Sequence, residues 1–170
     1  VLEVKNESKR FIANTPGFWP VTSGASTILD ENHMAVNLVS RITDQKGVDF
    51  VIQFVHRVLG SEKYHDVIFV LAGPGAPFYT DQITELVHRY PGRAGFWNGF
   101  VSGEIRDRAF LSGDLFIAFS TWAPGGISPM EALALGVPCL VSDKQGHKST
   151  IKTVAIQEFN SIFGITSDEP

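Results

Sequence analysis

Short, nearly all-apolar runs alternate along this chain with longer stretches whose apolar positions return every three or four residues. The first run is M-A-V-N-L-V-S from Met34, the length of a strand covered on both faces. After a polar loop over 41–47, Val51, Phe54, Val55, Val58 and Leu59 recur at helical spacing, and Gly60 closes the segment. The unit then repeats. V-I-F-V-L-A from Val67 leads through G-P-G-A-P to a stripe of Ile83, Leu86, Val87 and Tyr90, ended by Pro91-Gly92. A third strand is predicted over 94–100 with a short helix over 102–111, a fourth strand at L-F-I-A-F from Leu115, and a fifth at P-C-L-V-S from Pro138. A last short strand is predicted near 161–165.

Strands alternating with helices at this rhythm predict an α/β domain: a Rossmann-like, mostly parallel sheet with helices on both faces, joined by right-handed crossovers. Ligands of such sheets sit at the carboxyl ends of the strands. The domain is expected to occupy residues 33–170. Residues 1–32 are rich in turn formers (Pro16, Gly17, Pro20, Gly24) and are expected to be a linker or edge segment, held to the body by Phe11, Phe18 and Trp19.

The stretch 120–136, S-T-W-A-P-G-G-I-S-P-M-E-A-L-A-L-G, reads as a strand end, a glycine turn and a short helix. Ser128 before Pro129 predicts an N-cap with proline at the first helical position, and Gly136 predicts the stop. Gly125 and Gly126 would let the backbone approach a ligand, while the helix behind them turns free N–H groups and a positive dipole end to the same place. A phosphate fits there; so does an ordinary strand-to-helix turn with no ligand. Arg41 and Lys46, directly after the first strand, could turn inward to hold a diphosphate and neutralise the charge on a leaving nucleoside diphosphate. They are equally compatible with a solvated loop. His147, in the loop after the fifth strand, is a further candidate for ligand contact.

Composition narrows the classes. With 170 residues and 44% hydrophobic content the chain can bury one core, and its net charge of −4 carries no basic stripe for nucleic acid. The single cysteine, Cys139, lies in the apolar run 137–141, which predicts a buried thiol in a reducing, cytoplasmic setting. No apolar run reaches the roughly 18 residues of a membrane span. The opening Val1, without methionine or a signal-type apolar region, suggests a piece of something longer. Gly73-Pro74-Gly75 fails as a dinucleotide fingerprint because Phe78 stands where its third glycine belongs, and no Gly-rich loop ends in Lys-Ser/Thr. His33, His56, His65, His88 and His147 show no paired metal-ligand spacing.

S-R-I-T-D-Q-K-G, then G-P-G, then G-D-L-F-I-A-F-S-T-W-A-P-G-G-I-S-P-M-E-A-L-A-L-G-V-P resembles the C-terminal, donor-binding half of the GT-B retaining glycosyltransferases. Within these it is most similar to the glycogen and starch synthases, over roughly 34–168. The resemblance implies that Arg41 and Lys46 hold the diphosphate of ADP- or UDP-glucose and serve catalysis. Gly125, Gly126, Ile127 and Ser128 would contact the phosphates, Glu131 would bind the ribose hydroxyls, and Phe100 would stack on the base. It implies no cofactor and no metal, and an α-glucan acceptor bound by an N-terminal domain that this chain lacks. The family's sugar-nucleotide motif carries a glutamate separated by seven residues from its last one, and this chain has Ala123 there. Three readings stay open: a glucosyltransferase domain, a noncatalytic nucleotide-sugar-binding accessory domain, and a GT-B enzyme with another sugar and acceptor.

Overall fold

The computed structural model describes residues 2–19, 29–122 and 126–143. Five parallel strands form one sheet: β1 (Met34–Val39), β2 (Val67–Gly73), β3 (Ala94–Asn98), β4 (Leu115–Ala118) and β5 (Cys139–Val141), in the order β3-β2-β1-β4-β5. Between them run α2 (Val48–Leu59), α3 (Pro77–Arg89), α4 (Gly103–Leu111) and α5 (Ile127–Ala134), and α1 (Leu2–Ala13) precedes the sheet.

The period-2 alternation of the strands separates two cores. Val36 and Leu38 of β1, with Phe69 and Leu71 of β2, face Val51, Val55 and Val58 of α2 and Ile83, Leu86 and Val87 of α3. Ala35 and Val39, with Ile68 and Val70, face the opposite layer, where Phe110 of α4, Ala132 of α5 and Ile12 of α1 are buried. Both faces of the sheet are therefore covered, which is why its strands read as continuous apolar runs. Asn37 is the polar exception in β1. Its amide Nδ2 donates to the Ala109 carbonyl and, at 3.0 Å, to Ser112 Oγ, fixing the end of α4 against the central strand.

The chain winds outward from β1 through β2 to β3, then crosses back by way of α4 to lay β4 on the other side of β1. The winding direction thus reverses between β1 and β4, and ligands of such sheets bind at the carboxyl ends of the strands at that reversal.

The first segment differs from the expected linker or edge: residues 2–13 form a helix packed on α4. Its buried residues are Ser8, Lys9 and Ile12, so no apolar stripe announces it. Lys9, 3% exposed, reaches Asp114 Oδ2 at 2.7 Å and the His33 carbonyl at 2.6 Å, and Lys5 reaches Asp114 Oδ1 at 3.1 Å. Phe18 is buried and its carbonyl accepts from the Phe96 N–H at 2.6 Å on the edge of β3, while Trp19 lies over Gly95. The third strand stops at Asn98, short of Phe100. The expected strand at 161–165 and the loop carrying His147 lie outside the described residues. No helix among the described residues is long and apolar enough to cross a membrane.

Candidate functional site

The loop after β1 is organised by one apolar anchor. Ile42 is fully buried, and its N–H donates to the Pro74 carbonyl at 2.8 Å in a parallel bridge beside Gly75. Pinning Ile42 leaves Arg41, before it, exposed to solvent. After it, a single 3-10 turn over Asp44–Lys46 ends at Gly47, whose φ of 67° turns the chain into α2. A side chain could not be tolerated there, since a Cβ on Gly47 would lie 2.0 Å from the Phe119 carbonyl oxygen. Phe119 is itself held by an edge-on contact with Phe54 of α2, with ring centroids 5.5 Å apart.

The loop after β4 forms the other wall. Ser120 is buried and its carbonyl accepts from Ser142 Oγ at 2.5 Å, joining this loop to the end of β5. Gly126, with φ 55°, is the N-cap of α5, and the Met130 N–H makes the helix's first bond to the Gly126 carbonyl at 3.4 Å. The helix therefore begins two residues before the expected start: Gly126 rather than Ser128 is the cap, and Pro129 is the third helical residue. A proline is harmless there because an N–H in the first turn has no acceptor within the helix. Gly136, with φ 78°, follows the last turn as expected and its N–H donates to the Leu133 carbonyl at 3.0 Å.

A small pocket opens between the two loops, lined by Ser40 and Lys46 on one side and by Ser120, Gly126, Ser128 and Pro129 on the other. Lys46 is half-buried, and that burial, followed by the neighbouring Arg41 charge, pushes its ammonium below the usual lysine range. Among the described residues neither Arg41 nor Lys46 meets a carboxylate. A half-buried cation with no carboxylate partner among the described residues, lining the same pocket as a helix N-terminus, makes a setting that an anion would suit.

Of the residues singled out from the sequence, Lys46, Gly126 and Ser128 meet in this pocket. Arg41 borders it electrostatically through Lys46. Ile127 is 67% exposed at the first position of α5, and Phe100 is 79% exposed after β3; neither lines the pocket. Glu131 lies further along α5, where its Oε1 accepts from Arg106 Nη2 of α4 at 2.5 Å. Gly125, Ala123 and His147 fall outside the described residues. Sequence reasoning missed Ser40, Ser120 and Arg106. The two serines belong to strand ends already aimed at the functional edge, a positional signal; Arg106 carries no local signal, because its partner lies across a helix pair. Among the described residues no three His, Cys, Asp or Glu side chains gather into a possible metal site.

The chain resembles proteins of known kind along most of its length. It is 29% identical to a glycogen synthase of Hydrogenovibrio crunogenus over 134 residues, 79% of this chain and 26% of that protein, so it spans about a quarter of the relative it matches. In three dimensions it superposes on the catalytic domain of starch synthase IV from Arabidopsis thaliana, solved bound to ADP and acarbose, with a TM-score of 0.68 and 19% identity, covering 99% of this chain and 30% of that one. It also superposes on Anabaena HepE, solved with UDP and glucose, with a TM-score of 0.62 and 18% identity, covering 89% of this chain and 36% of that one. These likenesses show that the sheet, its strand order and its helices are those of half a GT-B fold. Residues 25–156 match the family described as glycosyl transferases group 1. The chain belongs to the group 1 glycosyl transferases, as a domain like that of the glycogen and starch synthases.

Proposed function

We propose that this domain binds the nucleotide sugar of a retaining glycosyltransferase that moves glucose from ADP- or UDP-glucose to the nonreducing end of an α-glucan. The observation that carries the reading is Lys46, half-buried and without a carboxylate partner among the described residues, lining one pocket with the N-terminus of α5 where the sheet reverses its winding. In this reading Lys46 and Arg41 neutralise the diphosphate as the sugar departs, and the backbone of Gly125, Gly126 and Ile127 with the Ser128 hydroxyl holds its oxygens. No metal is required in this reading, because two cations and a helix dipole supply the positive charge. Glu131 takes the ribose hydroxyls and Phe100 the face of the base. Relatives solved with ADP and with UDP support both donor bases alike.

The acceptor would be held by a second domain across the cleft. A chain with one wall of that cleft binds the donor but transfers slowly, because reacting groups must be held in near-attack geometry. Ala123, where the family has a glutamate facing the donor sugar, favours a second reading: an accessory domain that binds the nucleotide sugar without turning it over.

The two readings share nucleotide binding, which a thermal shift with ADP, UDP and GDP tests directly, since a ligand stabilises the fold according to how far its concentration exceeds its dissociation constant. Stabilisation by at least one, reduced in Lys46→Ala at the same ligand concentration, is the expected result; no shift with any of the three removes the donor-site assignment. Ala123→Glu in a chain carrying the N-terminal domain separates the readings, with recovered glucosyl transfer favouring the enzyme.

A further inference from the structure

Arg106 and Glu131 come from different helices and meet over one contact. Arg106 is the fourth residue of α4, and Glu131 the fifth of α5. The guanidinium is oriented from two sides before it reaches the carboxylate: its carbon lies 5.0 Å from the centroid of the buried Phe110 ring, and Nη1 is 3.4 Å from Asp107 Oδ1. Nη2 then donates to Glu131 Oε1. A planar cation seated on an aromatic face has little freedom left to lose, so it serves as a fixed stop for a flexible side chain.

Only one carboxylate oxygen is used. Glu131 Oε2 has no partner among the described residues, and the side chain is 38% exposed. A glutamate alone on a helix surface would sample many rotamers, and binding any hydroxyl would cost the freedom of that side chain. Held by Oε1, it presents Oε2 in a defined direction, ready to accept a hydrogen bond.

We infer that Arg106 is a positioning residue that aims the free oxygen of Glu131 at a ribose hydroxyl of the donor nucleotide. This rests on the donor-site reading above, which assigns Glu131 to the ribose. Arg106 touches no nucleotide itself in this arrangement. Its contribution is seen only by ligands that carry the hydroxyls.

Calorimetry on the full chain, with ADP and UDP each set against its 2′,3′-dideoxy counterpart, tests it. Arg106→Ala should weaken the hydroxyl-bearing nucleotide by about two- to tenfold, the ordering cost of one long side chain, and leave the dideoxy nucleotide unchanged. Glu131→Ala should show the same selectivity, and the double variant should be no weaker than Glu131→Ala alone, since both act through one contact. Arg106→Lys keeps the charge without the flat fork and should recover part of the loss, which guards against a folding defect in the alanine variant. Equal weakening of both nucleotides, or no change in either, overturns the positioning role while leaving the donor site standing. Tighter binding in Arg106→Ala overturns it also, because the pair would then withhold Glu131 from the ligand. Failure of the unaltered chain to bind ADP or UDP at all overturns the donor-site reading and the inference with it.

Discussion

The Thr121 N–H donates to the Gln45 carbonyl at 3.0 Å, joining the loop that carries Arg41 and Lys46 to the loop that leads into α5. The Gln45 side-chain amide adds a second tie, to the Trp122 carbonyl at 3.3 Å. The two walls of the candidate site are thus joined through main-chain groups, and the cation loop and the helix N-terminus are presented together. Such preorganisation is what charge stabilisation requires, since groups already in place need not reorganise when an anion arrives.

The two cations differ in burial and should differ in weight. Lys46→Ala removes a charge-assisted contact from a desolvated setting, worth about 1.5–3 kcal/mol, or roughly ten- to hundredfold in nucleoside diphosphate affinity. Arg41 is exposed, and Arg41→Ala should cost about 0.2–1 kcal/mol, as screened surface charges do. Titration calorimetry ranks them; a larger loss from Arg41 would move the diphosphate out of the pocket.

The same burial gives binding a pH dependence. Because burial and the Arg41 charge lower the folded-state Lys46 pKa, the unfolded chain holds more protons between the lowered value and the ordinary one, and this group makes stability rise with pH across that window. A bound diphosphate works the other way by favouring the ammonium. Affinity should therefore fall as pH rises through the lowered Lys46 pKa, with proton uptake on binding. Calorimetry in buffers of different ionisation enthalpy measures that uptake, which should vanish in Lys46→Arg.

At the opposite end of the sheet, Asp114 faces a buried ammonium. Burial opposes its ionisation, but hydrogen bonds from Lys9, the Ala35 N–H and Lys5 outweigh that and hold the carboxyl below the usual aspartate range. Its contribution to stability is present above the ordinary aspartate pKa of about 3.9 and is lost as pH falls through the lowered folded value. Asp114→Ala leaves Lys9 buried and unpaired, and should cost about 3–5 kcal/mol by denaturant titration. Nucleotide affinity of the folded fraction should not change, because Asp114 precedes β4 and the pocket follows it.

Cys139 should be chemically quiet. Burial pushes its thiol up to about 12, and its Sγ lies 3.3 Å from the Pro129 carbonyl oxygen. At pH 8 roughly one thiol in ten thousand is then the reactive thiolate. Alkylation by iodoacetamide should be far slower in the native chain than in denaturant, and equal rates would show the thiol to be open.

Much of the sheet was legible because its strands are buried on both faces and its helices are amphipathic. Val51, Val55 and Val58 repeat at the period that buries one face of α2, and all three are in the core. The first helix was not legible because it docks through an ion pair: Lys9 finds Asp114, far along the chain, and no window of sequence contains both. At α5 the Ser-Pro signal marks a helix start but misplaces it by two residues, because Gly126 can adopt the left-handed turn that Ser128 would resist. For the site, the rule that ligands sit at strand carboxyl ends brought Lys46, Gly126 and Ser128 to one crevice. It could not say that Arg41, one residue before the Ile42 anchor, stays exposed to solvent, or that Glu131 reaches Arg106.

Gly47 lies so close to the Phe119 carbonyl that nothing larger than a hydrogen fits between them. Where two stretches of main chain touch without an intervening side chain, their separation is a constant of the backbone. The calibre of the opening is then inherited with the topology, and sequence drift around its rim can retune affinity without widening or narrowing the gate.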